Sequence, residues 1–383
     1  MCEFRIFSAL SDLPAPAWNG LRGDDNPFLD HAFLAGLEQT GCLRADWGWQ
    51  GHHPTLWRDG ELVAAAPGYL KTNSHGEFVF DHAWAAAYAQ HGQHYYPKWL
   101  LAVPYSPVPG PRLLARSPAL RAELIEAITA HAAAQKLSSV HINFLSADDA
   151  AAVDTTHWLR REDVQYHWHN PGQWRCFDDF LAALSHKKRK NIRAERRLVD
   201  AAGVQFQRLS GAQVSASDCE AMYGFYLRTF IDKGNSPALT LAFFQHLISA
   251  LPEHVVLILA RIEQQPIAGA FCLRSNTRLF GRYWGSAVDL PGLHFETCYY
   301  QGIEYCLEHG LGTFEPGAQG EHKIARGFAP ISTHSRHWVA DPAFAHALAT
   351  WCAQEREAIS RYREQLLVHG PFRHADSTAT IEL

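Results

Sequence analysis

Residues 255–286 constrain this chain more than any other stretch. They read VVLILARI, a turn at Gln264–Pro266, IAGAFCLRS, a turn at Asn276, then RLFGRYWGS. Runs of this length, rich in β-branched, aromatic and small apolar residues and parted by tight turns, predict three consecutive antiparallel strands. The flanks are helical. Upstream, FDDFLAALS opens a helix at Phe177 with acids in its first turn, and SHKKRKNIRAERR (185–197) continues it to a stop at Gly203. VQFQRL is then a strand, followed by helices over 216–229 and 241–250. Downstream, 293–309 is a helix and GTFEPG a strand end. The order is helix, strand, helices, meander, helix, strand, which is a mixed α/β unit.

The first half carries a weaker version of that order. Residues 3–8 alternate as a strand, and 26–37 form a turn and an amphipathic helix with Phe28, Phe33, Leu34 and Leu37 on one face. Residues 54–69 make a hairpin around Asp59-Gly60. Residues 81–96 are rich in aromatics and histidine, and Trp84, Tyr88 and the Ala run among them fit a helix; the five prolines of 97–111 hold that segment extended around a cleft. An Ala-rich helix (121–136), a strand (140–145) and the strand-like QYHWHN complete this half. The 383 residues suit two units. They divide at 1–170 and 171–338, with a last helix (339–370) packing back on the first unit and a tail without regular structure. No residue-level repeat links the halves.

Composition narrows the function. A net charge of −5 argues against a nucleic-acid coat and leaves room only for a local polyanion site, so DNA is not an expected partner. The eight cysteines form no CxxC, which predicts reduced, buried thiols. No signal-peptide pattern and no long apolar run are present, so a soluble, cytoplasmic protein without membrane insertion is expected. His167 and His169 form an H-x-H pair on one strand face, but no third ligand is placed, and no metal is expected.

Four groups of residues carry candidate chemistry. In the basic helix, cations crowd residues 186–197 and only Glu195 answers them. Lys187, Lys190 and Arg193 are the candidates for binding donor phosphates, against the alternative of a solvated basic face. In GAQGEHKIARG (317–327), glycines bracket a dense polar set. Glu321, His322 and Lys323 are the candidate catalytic residues there. Glu321 or His322 would serve as base, and Lys323 and Arg326 would hold anions. Arg282 and Trp284 on the third meander strand face His294 and Glu296 at the next helix start, as candidate substrate contacts. Trp84 and Lys71 are the candidates for an acceptor pocket in the first half. Phosphate-loop, GxGxxG and GxSxG motifs are absent, as is the usual acetyl-CoA pyrophosphate loop.

LSHKKRKNIRAERRLVDAAGVQF resembles the basic helix of FemABX-type transferases, which reads Lys-x-x-Arg-x-Asn-Ile-Arg and then Gly-Val before a strand. Lys187, Lys190, Asn191, Ile192, Arg193, Gly203 and Val204 are the corresponding residues here. NPFLDHAFLAGLE, GYLKTNSHGEFVFDHAWA, YYPKWLLAVPYSPVPGPRLL, LHFETCYYQGIEYCLEHGL and FEPGAQGEHKIARGF extend the likeness over nearly the whole chain. It is similar to FemAB-like N-acyltransferases of the GNAT superfamily. The resemblance implies two tandem GNAT-like α/β domains and an acyl- or aminoacyltransferase acting on an amine. It also implies acyl-CoA or aminoacyl-tRNA as co-substrate, no tightly bound cofactor, and a peptidoglycan precursor, peptide or other small amine as acceptor, with the tRNA acceptor end a possible partner. The rival expectation is a non-catalytic module that binds cell-wall peptide or a related ligand.

Overall fold

The computed structural model describes residues 2–153, 156–368 and 370–373. The tail expected to lack structure lies, from residue 374 on, outside the described residues. Fifteen strands are present among the described residues: β1 (Glu3–Phe7), β2 (Trp49–Gly51), β3 (His53–Arg58), β4 (Glu61–Ala65), β5 (Gly68–Lys71), β6 (Lys98–Leu101), β7 (Leu114–Ala115), β8 (Ser139–Asn143), β9 (Trp158–His169), β10 (Gln205–Ser210), β11 (Val255–Ile262), β12 (Gln265–Arg274), β13 (Arg278–Ser286), β14 (Thr313–Glu315) and β15 (Ala329–Val339). Eleven of them form one sheet in the order β10-β11-β12-β13-β14-β9-β15-β8-β6-β5-β2, and β1-β3-β4-β7 form a second.

The meander folds as its sequence predicts, with β11, β12 and β13 antiparallel. The hairpin around Asp59-Gly60 also forms, but as β3 and β4 of the small sheet. Its second arm breaks at Ala66-Pro67 before continuing as β5 in the large one. Proline has no N–H to continue a ladder, which is why the arm changes sheets there.

The helix expected to run unbroken from Phe177 into the basic segment is two helices, Phe177–Ala183 and His186–Ala201. Leu184 between them is extended and bridges Phe372, and the Ser185 N–H donates to the Pro371 carbonyl at 2.9 Å. The chain's C-terminal residues thus capture backbone groups that a continuous helix would have used.

Residues 293–309 stay helical but widen to a π turn over Glu296–Tyr300. The last helix, Pro342–Val368, packs Leu348 and Cys352 against Trp84, Tyr88 and Tyr95. Further along it packs Tyr362 and Leu366 beside Tyr166 and Leu184.

The two halves share an apolar core. Phe33 and Leu34 of the His31–Gln39 helix pack with Phe243, Phe244 and Leu247 of the Leu241–Ala250 helix. The Thr240 hydroxyl donates to the Thr40 carbonyl at 3.0 Å.

Register gives the large sheet one polar face. Residues directly opposite across a ladder share a face. Lys71 pairs Lys98, and Leu100 pairs His141. His141 pairs His337 and Asn143 pairs Ser335. Ser335, Thr333, Ile331 and Ala329 pair Arg161, Asp163, Gln165 and His167. The row passes on through His169–Thr313 to Arg278 and to the Phe280–Glu315 pair. The prolines of 97–111 cover its centre: Gln165 Nε2 donates to the Pro107 carbonyl at 2.7 Å.

Candidate active site

One ladder of the large sheet stops short at the join of the halves. β13 and β14 run parallel and pair from Arg278–Thr313 to Phe280–Glu315, and no rung forms beyond that among the described residues. Arg282 lies just past the last rung. The ladder to β12 goes from Phe271–Tyr283 to Cys272–Gly281 and skips Arg282, a β-bulge that re-aims its side chain. The Arg282 Nη2 reaches 3.5 Å from the Tyr105 carbonyl of the other half, its Cζ lies 5.6 Å from the Phe28 ring centre, and its buried Nε has no partner. Burial lowers its pKa.

On β14, Glu315 is buried, and burial pushes its carboxyl up to about 7 against the pull of Arg278, 3.1 Å away, and of Arg282 and Arg112. His167 Nε2 lies 4.0 Å from Glu315 and 3.2 Å from Gln165 Oε1. Burial drops that imidazole to about 3, so it is neutral at pH 7. Arg112, fully buried, carries an unpartnered Nε.

Lys323 is also buried, donates to the Gly317 carbonyl at 2.6 Å and is lowered by burial to about 8. Gly317 adopts φ +103, a left-handed conformation that suits glycine, and it turns the chain from β14 towards the Glu321–Arg326 turn. The centre therefore holds one carboxylate among four cations, three of them buried or half-buried.

Beside Lys323 lies an aromatic and imidazole group. The His294 ring centre is 5.1 Å from Trp284, 5.3 Å from Tyr299 and 6.3 Å from His322. The Tyr299 hydroxyl meets His322 Nε2 at 2.9 Å. Burial lowers His294 to about 4 and lowers His322 as well, so both are neutral acceptors or donors at pH 7. Arg326 stacks 3.4 Å over Phe295 and pairs Glu195 at 2.6 Å. Glu195 also accepts from Tyr300, which ties the basic helix to this group.

The structure thus brings together Arg282, Trp284, His294, His322, Lys323 and Arg326. Glu321 points elsewhere: it accepts from Tyr362 of the last helix at 2.6 Å. Glu296 is turned under the basic helix, where Arg196 sits 3.1 Å away. Arg196 also holds Glu304 at 2.7 Å, whereas Arg193 is half-exposed and 3.8 Å from Asp178. Lys187 and Lys190 lie on the same helix. Grooves of about 400 and 290 Å3 flank it; Arg196 and Arg197 line both, and Arg193 lines the larger.

Lys71 and Trp84 lie in the first half, away from this centre. Lys71 sits 3.6 Å over the Trp49 ring and 4.0 Å from Glu77. Lys98 bonds Glu77 at 2.7 Å and also Asp81. Burial lowers Lys71 to about 7 and raises Glu77 to about 7. Trp84 is buried with its ring 5.2 Å from His337 and 6.0 Å from Trp351.

Gln165, Arg112 and Arg278 were missed by sequence reasoning: strand register brings Gln165 and Arg278 here, and the proline-rich segment carries Arg112. His167 carried a signal in H-x-H, but among the described residues it belongs to no cluster of three or more metal-type ligands. No helix is long and apolar enough to cross a membrane among the described residues.

Residues 9–374 match the FemAB-like family, described as peptidoglycan biosynthesis/recognition. No curated protein matches the chain. Among solved structures, it is similar to the C-terminal domain of a protein described as a lysylphosphatidylglycerol synthetase from Agrobacterium fabrum, with TM-score 0.53, 11% identity, and 89% of this chain and 95% of that chain covered. It is similar to FemX, with TM-score 0.51, 12% identity, and 89% and 98% covered. L-PGS from Bacillus licheniformis gives TM-score 0.50, 10% identity, and 85% and 97% covered. At these identities the likeness is one of fold, the mixed α/β fold described above. With the family pattern matched across almost its whole length, the chain belongs to the FemAB-like family.

Proposed function

We propose that the protein is an acyltransferase that moves an acyl or aminoacyl group from a coenzyme A or tRNA donor to an amine, with a peptidoglycan precursor or other small amine as acceptor. One observation carries the reading: the β13–β14 ladder stops at Phe280–Glu315, and beside its end stand under-compensated cations and one carboxyl poised near neutrality. A donor carbonyl placed there would lie between Arg282 and Lys323.

Attack by the amine nitrogen forms the new C–N bond. The amine proton passes to the Glu315 carboxylate, and the negative charge on the carbonyl oxygen is met by Arg282 and Lys323. Collapse breaks the C–S bond of a thioester or the C–O bond of an ester. The leaving sulfur or oxygen then takes a proton from solvent or Lys323. A carboxyl near 7 is matched to a proton transfer at neutral pH. Lys187, Lys190 and Arg193 are proposed to hold the donor's phosphates, since the helix that carries them is tied through Glu195 to Arg326 and Tyr300.

Purified protein incubated with acyl-CoAs and aminoacyl-tRNAs against a panel of amines, read by mass spectrometry, tests this. Product is expected from the wild type, and a loss of about 100-fold or more from Glu315→Gln and Lys323→Ala. No product from any pair, or full activity in both variants, rejects it. The first outcome would leave the ligand-binding reading, which the ion pair holding Glu315 to Arg278 favours.

A further inference from the structure

We infer that a separate cavity on the polar face of the first half is a binding site for a primary ammonium carried on an apolar chain. The cavity, about 360 Å3, lies between strands β9 and β15, the 79–83 segment and the last helix. Its walls are apolar: Phe80, Phe144, Trp351 and Ile359. Its floor is Asp163, with Thr333 beside it.

The charges sort themselves. Arg161 is spent, because Glu355 takes its Nε and Nη2 at 2.7 Å each and its Nη1 donates to the Phe80 carbonyl. That pair cancels, and it fixes the rim by pinning Phe80. Glu162 has Arg160 at 3.6 Å and His334 at 3.8 Å. Asp163 accepts from its neighbour's backbone, Val164 N, at 2.7 Å. Among the described residues no ion pair engages it, and its side chain is open to the cavity. The lining therefore has one free carboxylate and no free guanidinium, so its ligand is a cation.

The walls fix the rest of the ligand. Phe80 is 55% exposed and Trp351 37%, large apolar surface that a chain leaves in water at a cost unless something covers it. Phe144, on the opposite wall, holds φ +55, a left-handed conformation unfavourable for a bulky residue. Apolar walls above one carboxylate suit an alkyl or aryl chain ending in an ammonium. The chain would cover the rings, and the ammonium would bond Asp163.

Asp163 and His167 are four residues apart on β9 and share a face. At about 3.3 Å per residue they lie roughly 13 Å apart, so this is a second site and not part of the one at β13 and β14. The inference stands on the cavity alone and does not need the transfer reaction.

Titration calorimetry at pH 7 with n-hexylamine tests it, with n-hexanol and N-acetylglucosamine as comparison probes. Saturable binding of the amine is expected, with little for the alcohol. Asp163→Asn should weaken it by about tenfold or more. Phe80→Ala, on the exposed rim where folding is not at stake, should weaken it by about fivefold. Equal binding of amine and alcohol would make the cavity a plain apolar groove. Sugar binding in place of the amine, binding unchanged in both variants, or no binding of any probe would each overturn the inference.

Discussion

Replacing Glu315 by Gln should change how stability depends on pH. Burial raises this carboxyl to about 7, while in the unfolded chain it titrates near the model value of 4.5. Between these two values the folded protein keeps a proton that the unfolded chain has released. Stability must therefore fall as pH rises from 4.5 to 7. At pH 5 the term stabilises the wild type by about 2 kcal/mol relative to pH 8. For a cooperative unit of about 200 residues that is a Tm change of ~4–8 °C.

Gln keeps the shape and cannot titrate, so the difference in Tm between wild type and Glu315→Gln isolates the term. Other titrating groups, such as Glu77, cancel in the subtraction. Arg278 is half-exposed, so water can compensate it once Glu315 is gone. Thermal melts of both proteins from pH 5 to pH 8 make the measurement. Wild type should be the more stable partner at pH 5 relative to its position at pH 8. A difference that does not vary with pH would refute the raised carboxyl. One that moves the other way would mean that Arg278 outweighs burial.

Three further outcomes follow from the packing. Lys98→Met leaves Glu77 and Asp81 buried without their shared cation and should cost about 3–5 kcal/mol, read as a large fall in Tm. Gly285→Ala would place a Cβ 2.0 Å from the Phe225 backbone oxygen, which cannot move aside. It should destabilise by ~2 kcal/mol or more in the same melts. Glu321→Gln should keep transfer within about threefold of wild type, because that carboxylate is held by Tyr362 and faces away from Lys323, whereas Glu315→Gln should not. Equal losses in the two variants would contradict the assignment of the base.

The local signals in the sequence were strong where one element explains itself. The meander, the Asp59-Gly60 turn, and Phe33 and Leu34 on a buried helix face all follow from period and turn chemistry. What could not be read was whatever depends on partners far along the chain. Nothing in FDDFLAALSHKKRK announces a break at Leu184, because the residues that make it, Pro371 and Phe372, come nearly two hundred positions later.

The centre shows the same limit. The cluster between glycines was legible as a polar set, and Lys323, His322 and Arg326 from it lie together in the candidate site. Their roles part because Tyr362 holds Glu321 while Lys323 turns inward to the Gly317 carbonyl. Gln165 and Arg278 join the candidate site through the β9–β15 and β13–β14 registers, Arg112 through the proline-rich segment whose Val108 carbonyl holds it, and no spacing in the sequence records them. The Arg282 bulge, likewise, is a property of the ladder.

The proposed reaction requires the donor to bind beside the end of the β13–β14 ladder. Hydrogen–deuterium exchange of the wild type with coenzyme A and with unacylated tRNA, each in turn, tests it most directly. One of the two is expected to slow exchange in 281–286 and 316–326. Exchange unchanged in both segments with either probe, or protection confined to the 79–83 segment and the last helix, would contradict it.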